Sequence, residues 1–103
     1  MLNAKEAKKR TSEIVQKQQK QAELWVEKEW EFINEKIEEA VEKGEYETAY
    51  WWSNELLEEA GIKKQYAAEA LAYKAYQLGF CQHICTKWGN NCVLRVELYW
   101  IRG

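Results

Sequence analysis

No proline occurs anywhere in the chain and the first glycine is Gly44, so one helix can run unbroken from near the start to that point. The apolar residues use that freedom. Val15, Ala22, Val26, Trp30, Ile33, Ile37 and Ala40 follow one another by seven, or by three and four, and so share one helical face. Trp25, Phe32 and Val41 widen the stripe. The sequence therefore predicts a long amphipathic helix from about Ala4 to Lys43. Lys43 complements its last turn, and Gly44 can take the positive φ beyond it.

Charge is segregated along the chain. Residues 1 to 20 hold six basic and two acidic groups, residues 21 to 60 three and thirteen, and residues 61 to 103 six and two, for a net charge of −2. Every acid is glutamate, which suits helix interiors better than aspartate does. Before Ile14 the apolar pattern fades into Lys5, Lys8, Lys9 and Arg10, and residues 16 to 21 are almost wholly polar. With little to bury, residues 1–13 are expected to extend freely, fray, or order on a partner.

The 103 residues are the size of one domain, and no Gly/Pro/Ser-rich linker divides them. Apolar residues are 47% of the chain and include six Trp and six Tyr, enough bulk to close a core without staples. There is no signal-peptide pattern at the start and no apolar run long enough to span a bilayer. Cys81, Cys85 and Cys92 are an odd number and lie too close together to tie distant parts of the chain. A reducing cytoplasm is the expected compartment.

Residues 45 to 52 fit two patterns. Tyr46, Thr48, Tyr50 and Trp52 alternate as in a strand and are good strand formers, whereas Tyr46, Ala49, Ser53, Leu56 and Ala60 share a helical face. The strand reading is preferred. Ser53 or Asn54 can cap a short helix reaching Gly61, with Ile62 making the apolar contact that follows such an end. A further helix is expected from about Lys64 to Leu78, closed by Gly79, its alanines packing closely on the first helix.

The tail from Phe80 to Ile101 reads as a β-hairpin turning at Gly89-Asn90-Asn91. Leu94, Val96, Leu98 and Trp100 alternate with Arg95, Glu97 and Tyr99, so one face of the last strand is buried. Register on the facing strand stays open. A three-residue loop puts Phe80, Ile84 and Trp88 on the core face, and a two-residue loop puts Cys81, His83 and Cys85 there. The fold class is α+β: a long N-terminal helix, one or two shorter helices and a small antiparallel sheet ending in the hairpin, all in one domain.

Cys81, His83, Cys85 and Cys92 are the one cluster with ligand chemistry, and their spacing speaks against a shared ion. On an extended strand Cys81 and Cys85 stand roughly 13 Å apart, too far for one zinc. A cysteine nucleophile activated by His83 meets a similar objection, because residues two apart on a strand project in parallel, and no third orienting group is evident. With one histidine, no aspartate, no phosphate-cradling loop and no nucleophile elbow, the chain reads as a non-enzyme. Neither a metal nor an organic cofactor is expected.

Glu23, Glu27, Glu31, Glu35 and Glu39 recur every four residues, a row with steps of about 6 Å along a helix. Such a row approaches the spacing of phosphates and suits a basic groove made for nucleic acid. Direct nucleic-acid binding through Lys5, Lys8, Lys9, Arg10, Lys17 and Lys20 is disfavoured by the central glutamates. Of the aromatic residues, Tyr50, Trp51, Trp52, Tyr73, Tyr76 and Tyr99 exceed what so small a core can hold, and exposed rings anchor protein interfaces. The candidate partner-binding set is therefore Glu23, Glu27, Glu31, Glu35, Glu39, Tyr50, Trp51 and Trp52, with a protein as partner. Oligomerisation through the helix stripe is the alternative.

Leu2-Asn3-Ala4-Lys5-Glu6-Ala7, then a Glu/Lys-rich helix ending Glu39-Ala40-Val41-Glu42-Lys43-Gly44-Glu45-Tyr46, then Leu78-Gly79-Phe80 and a closing Leu98-Tyr99-Trp100-Ile101, resemble small accessory proteins of tailed bacteriophages and prophages. Residues 61 to 76 look like an addition to that pattern. The resemblance implies a long helix followed by a strand, a helix and a terminal hairpin. It also implies action inside a bacterial host cell, in a class that includes inhibitors of defence systems such as anti-CRISPR proteins. It carries no functional residue over to this chain.

Overall fold

The computed structural model describes residues 1–87 and 92–100, the side chains of Cys92 and Val93 excepted. Helix α1 spans Ala4–Glu42, strand β1 Glu47–Ser53, helix α2 Asn54–Ala60, helix α3 Lys64–Gln77, strand β2 Cys81–Cys85 and strand β3 Cys92–Tyr99. This is the expected α+β architecture, and the stretch that fitted two patterns resolves as strand over Glu47–Ser53. Tyr46 and Ala49, which would have shared a helical stripe, instead sit outside the core. The exchange wins because Trp52, 1% exposed, is buried through the pleat against β3.

β3 lies between the other two strands, paired antiparallel with both. Its even-numbered residues Leu94, Val96 and Leu98 are fully buried. Opposite them stand Trp52, Tyr50 and Thr48 of β1 and, on β2, Ile84 across from Val96. That pairing is the register of a three-residue loop, with Phe80 and Ile84 turned to the core side. The turn at 89–91 and Trp88 lie outside the described residues, and Ile101 does as well.

All three helices cover the same side of the sheet. Val26, Trp30, Ile33 and Ile37 of α1, Leu57 of α2, and Ala67, Leu71 and Ala75 of α3 meet the buried strand residues in one core. Ala67 and Ala75 are fully buried, and these small residues let α3 lie close against α1. Tyr66 is buried at the start of α3 while Leu78, at its end, is half exposed.

Helix ends are set locally. Asn3 Oδ1 accepts from the Glu6 amide at 2.8 Å and Ser53 Oγ from the Leu56 amide at 3.3 Å, each satisfying one donor that the first turn leaves unpaired. At the far end of α3, Gly79 takes φ 81°. The Phe80 amide then closes on the Ala75 carbonyl at 2.9 Å, which reverses the chain into β2.

The long dimension of the molecule is 60 Å, and a 39-residue helix at about 1.5 Å per residue accounts for nearly all of it. The radius of gyration, 16.2 Å, exceeds the roughly 13 Å expected for a compact chain of this size. The excess is α1. Its buried residues begin at Ala22, and nothing from Ala4 to Gln21 is buried. Gln19 and Gln21 already line grooves against α3 and the turn after α2, so the helix stands out from the body as an arm only before them.

Candidate partner-binding surface

All five glutamates of the four-residue row are exposed, but they do not form one face. A helix turns about 100° per residue, so each four-residue step drifts by about 40° and Glu39 lies about 160° around from Glu23. Glu23 starts on the flank next to α3. Glu27 is tied down there, with Lys74 Nζ donating to its two carboxylate oxygens at 2.9 and 3.1 Å. At the other end Glu39 lies 3.6 Å from Lys36.

A different acidic set does share a face. Glu31, Glu35, Glu38 and Glu42 follow one another by four, three and four, which keeps them within about 60° on the side turned away from the buried stripe. All four are exposed. Among the described residues none is ion-paired, and Glu38 accepts a hydrogen bond from Asn34 Nδ2 at 3.2 Å. The sequence carried this signal in the 3.6-residue period; an eye for strict fours misses Glu38 and Glu42.

The three aromatic candidates separate. Trp52 is core, its ring 5.3 Å from that of Trp25 and 4.9 Å from that of Tyr50, so it cannot anchor a partner. The reason is register: its opposite number is Leu94, on the covered face. Tyr50 is half-buried on that same face. Burial pushes its phenol above the ordinary tyrosine range, and the charges of Glu29 and Glu35 push the same way. Trp51 alone is exposed, at 57%, and it points from the opposite face of the sheet.

Among the described residues no helix covers that face. Beside Trp51 it carries Glu47 and Ala49 of β1, Arg95, Glu97 and Tyr99 of β3, and Cys81, His83 and Cys85 of β2. Tyr99 donates to Glu97 Oε2 at 2.6 Å. That bond raises the Tyr99 pKa, burial and the charges of Glu97 and Glu47 adding to it against the lowering effect of Arg95. Arg95 Nε stands 3.4 Å from the other oxygen of Glu97. Glu47, Ala49, Arg95, Glu97 and Tyr99 line a shallow groove of about 370 Å³, polar and open rather than a substrate cleft.

His83 and Cys85 do meet, Cys85 Sγ lying 3.3 Å from His83 Nε2. The expectation that neighbours two apart stay parallel fails here: Cys85 is the last residue of β2, and its side chain leans towards His83. Among the described residues nothing orients the second ring nitrogen of His83, and no group of three His, Cys, Asp or Glu could hold a metal ion. Cys81 is exposed and Cys85 partly so, and both are free thiols. The side chain of Cys92 lies outside the described residues.

The stripe from Ala22 to Ala40, the surface expected to support oligomers, is covered by the chain's own sheet and α3. Among the described residues no helix is long and apolar enough to cross a membrane. The chain matches no protein-family model, no curated protein and no solved structure.

Proposed function

We propose that this chain is a non-catalytic accessory protein of the phage and prophage kind. It binds and inhibits a host protein by laying the acidic ridge of α1 into a basic groove built for nucleic acid. The observation that carries this reading is the ridge itself: Glu31, Glu35, Glu38 and Glu42, exposed and without cation partners among the described residues. Its charges step along the helix by roughly 4.5 to 6 Å, near the separation of successive phosphates. A rigid helix presents them with little ordering cost on binding.

Trp51 lies on the far side of the two-layer body and belongs to a different surface. The decisive comparison is capture from a bacterial lysate by the wild-type chain and by a variant with Glu31, Glu35, Glu38 and Glu42 all changed to Gln. The wild type should retain a protein that a DNA or RNA oligonucleotide displaces and that releases as salt rises, because contacts between exposed charges are screened. The quadruple variant should lose at least about tenfold in affinity, each charge-assisted contact contributing on the order of 1 kcal/mol or less. Undiminished binding by that variant would exclude the ridge as the inhibitory surface.

A further inference from the structure

The seam between α1 and α3 holds one primary ammonium group, that of Lys74, and we infer that one turn nearer the N-terminus the same seam binds a second, supplied by an alkylamine from solution. The two helices run the same way along this seam. Glu27 takes Lys74 Nζ at 2.9 and 3.1 Å. Four residues earlier on each helix stand Glu23 and Ala70, and both line a groove of about 230 Å³. Ala70 therefore leaves a carboxylate and open space where a cation one turn behind Lys74 would lie.

Glu69 lines that groove as well. Glu23 and Glu69 are exposed, and neither is ion-paired among the described residues. Two carboxylates alone would be ordinary solvated surface; Tyr66 makes them a site. Its side chain is only 9% exposed, yet its hydroxyl has no hydrogen-bond partner among the described residues and is not sealed from solvent. The hydroxyl thus opens on the groove that Tyr66 lines, whereas a buried tyrosine ordinarily finds a partner for its O–H. An ammonium carries three N–H donors, and here it meets three acceptors: the carboxylates of Glu23 and Glu69 and the Tyr66 oxygen. Ala70 and Tyr73 offer apolar surface to the methylenes behind it, and the Tyr73 ring attracts a cation. A bare hard cation requires six or more oxygens, and no group of three His, Cys, Asp or Glu among the described residues could hold a metal.

Free diamines and the lysine side chain of a peptide share this chemistry. The site uses none of Glu31, Glu35, Glu38 and Glu42, so it stands or falls apart from the ridge.

The test is an amide chemical-shift titration of the full-length chain at constant ionic strength, with 1,4-diaminobutane in one arm and a capped lysine, its α-amine acetylated and its carboxyl an amide, in the other. At least one ligand should saturate with a dissociation constant on the order of 1 mM, the shifts centring on residues 66 to 73 and on Glu23. Tighter binding of the diamine identifies a free polyamine as the ligand class, and tighter binding of the capped lysine a peptide side chain. Glu23→Gln with Glu69→Gln should weaken binding about tenfold, and Tyr66→Phe about fivefold. Ala70→Lys should abolish it by setting an ammonium on Glu23, and circular dichroism confirms that each variant keeps its helices. Glu55→Gln with Glu59→Gln, which removes as much charge from α2, should leave binding unchanged. Shifts that rise linearly to 50 mM with both ligands overturn the inference, as does equal weakening by the two paired glutamate variants, or undiminished binding by both Ala70→Lys and the Glu23, Glu69 variant.

Discussion

Between Ala22 and Ala40, α1 buries a side chain at every third or fourth position; between Ala4 and Gln21 it buries none. Both stretches are helical, and they are so for different reasons. The distal half rests on local terms: Ala, Lys, Glu, Arg and Gln lose little on entering a helix, and Asn3 caps its start. The proximal half is held by packing, since Val26, Trp30, Ile33 and Ile37 share the core with the sheet and α3. Tertiary burial, more than propensity, is what normally stabilises a helix in a protein. An arm without it should open and close locally without disturbing the body.

The largest contrast should come from truncating one isoleucine in each half. Ile33 is fully buried, so Ile33→Ala should cost about 2–5 kcal/mol in urea unfolding, transfer and cavity terms together. Ile14→Ala should cost less than about 0.5 kcal/mol. Equal losses would mean that the arm is part of the cooperative unit.

A glycine placed on the exposed side of each half sharpens the same contrast without touching the core. Glu31→Gly should lower global stability by about 0.5–1 kcal/mol, the helix-interior cost of glycine. Lys9→Gly should leave it unchanged and instead speed amide exchange across residues 7 to 20, because an arm that already frays can melt alone.

The smallest effect concerns the ion pair that clips α3 to the root of the packed half. Lys74 is 22% and Glu27 61% exposed, so solvent screens much of the attraction. Lys74→Gln should cost only about 0.5 kcal/mol. A loss above about 2 kcal/mol in thermal unfolding would show that this clip, rather than the apolar stripe, anchors α1.

The order of helices and strands was readable because each depends on local rules: the stripe of α1, Gly79 after α3, and the alternation of Leu94, Val96 and Leu98. The candidate surface was less so. The four-residue spacing of the glutamates was plain, but whether they share a face depends on the 3.6-residue turn, which replaces Glu23, Glu27 and Glu39 with Glu38 and Glu42 on the outward ridge. Trp51 and Trp52 are adjacent and chemically alike. Only the pairing of Trp52 with Leu94 tells which is buried.

The sequence by itself determined where helices begin and stop, because capping groups, left-handed glycines and side-chain periodicity act within a few residues. It also determined the charge polarity of α1. The tertiary structure decided what no local rule contains: that β3 lies at the centre of the sheet, that the three described helices take one face and leave the other open, and that burial along α1 begins only at Ala22. These follow from contacts between residues distant in the chain, and burial is a property of the surface a residue meets rather than of the residue itself.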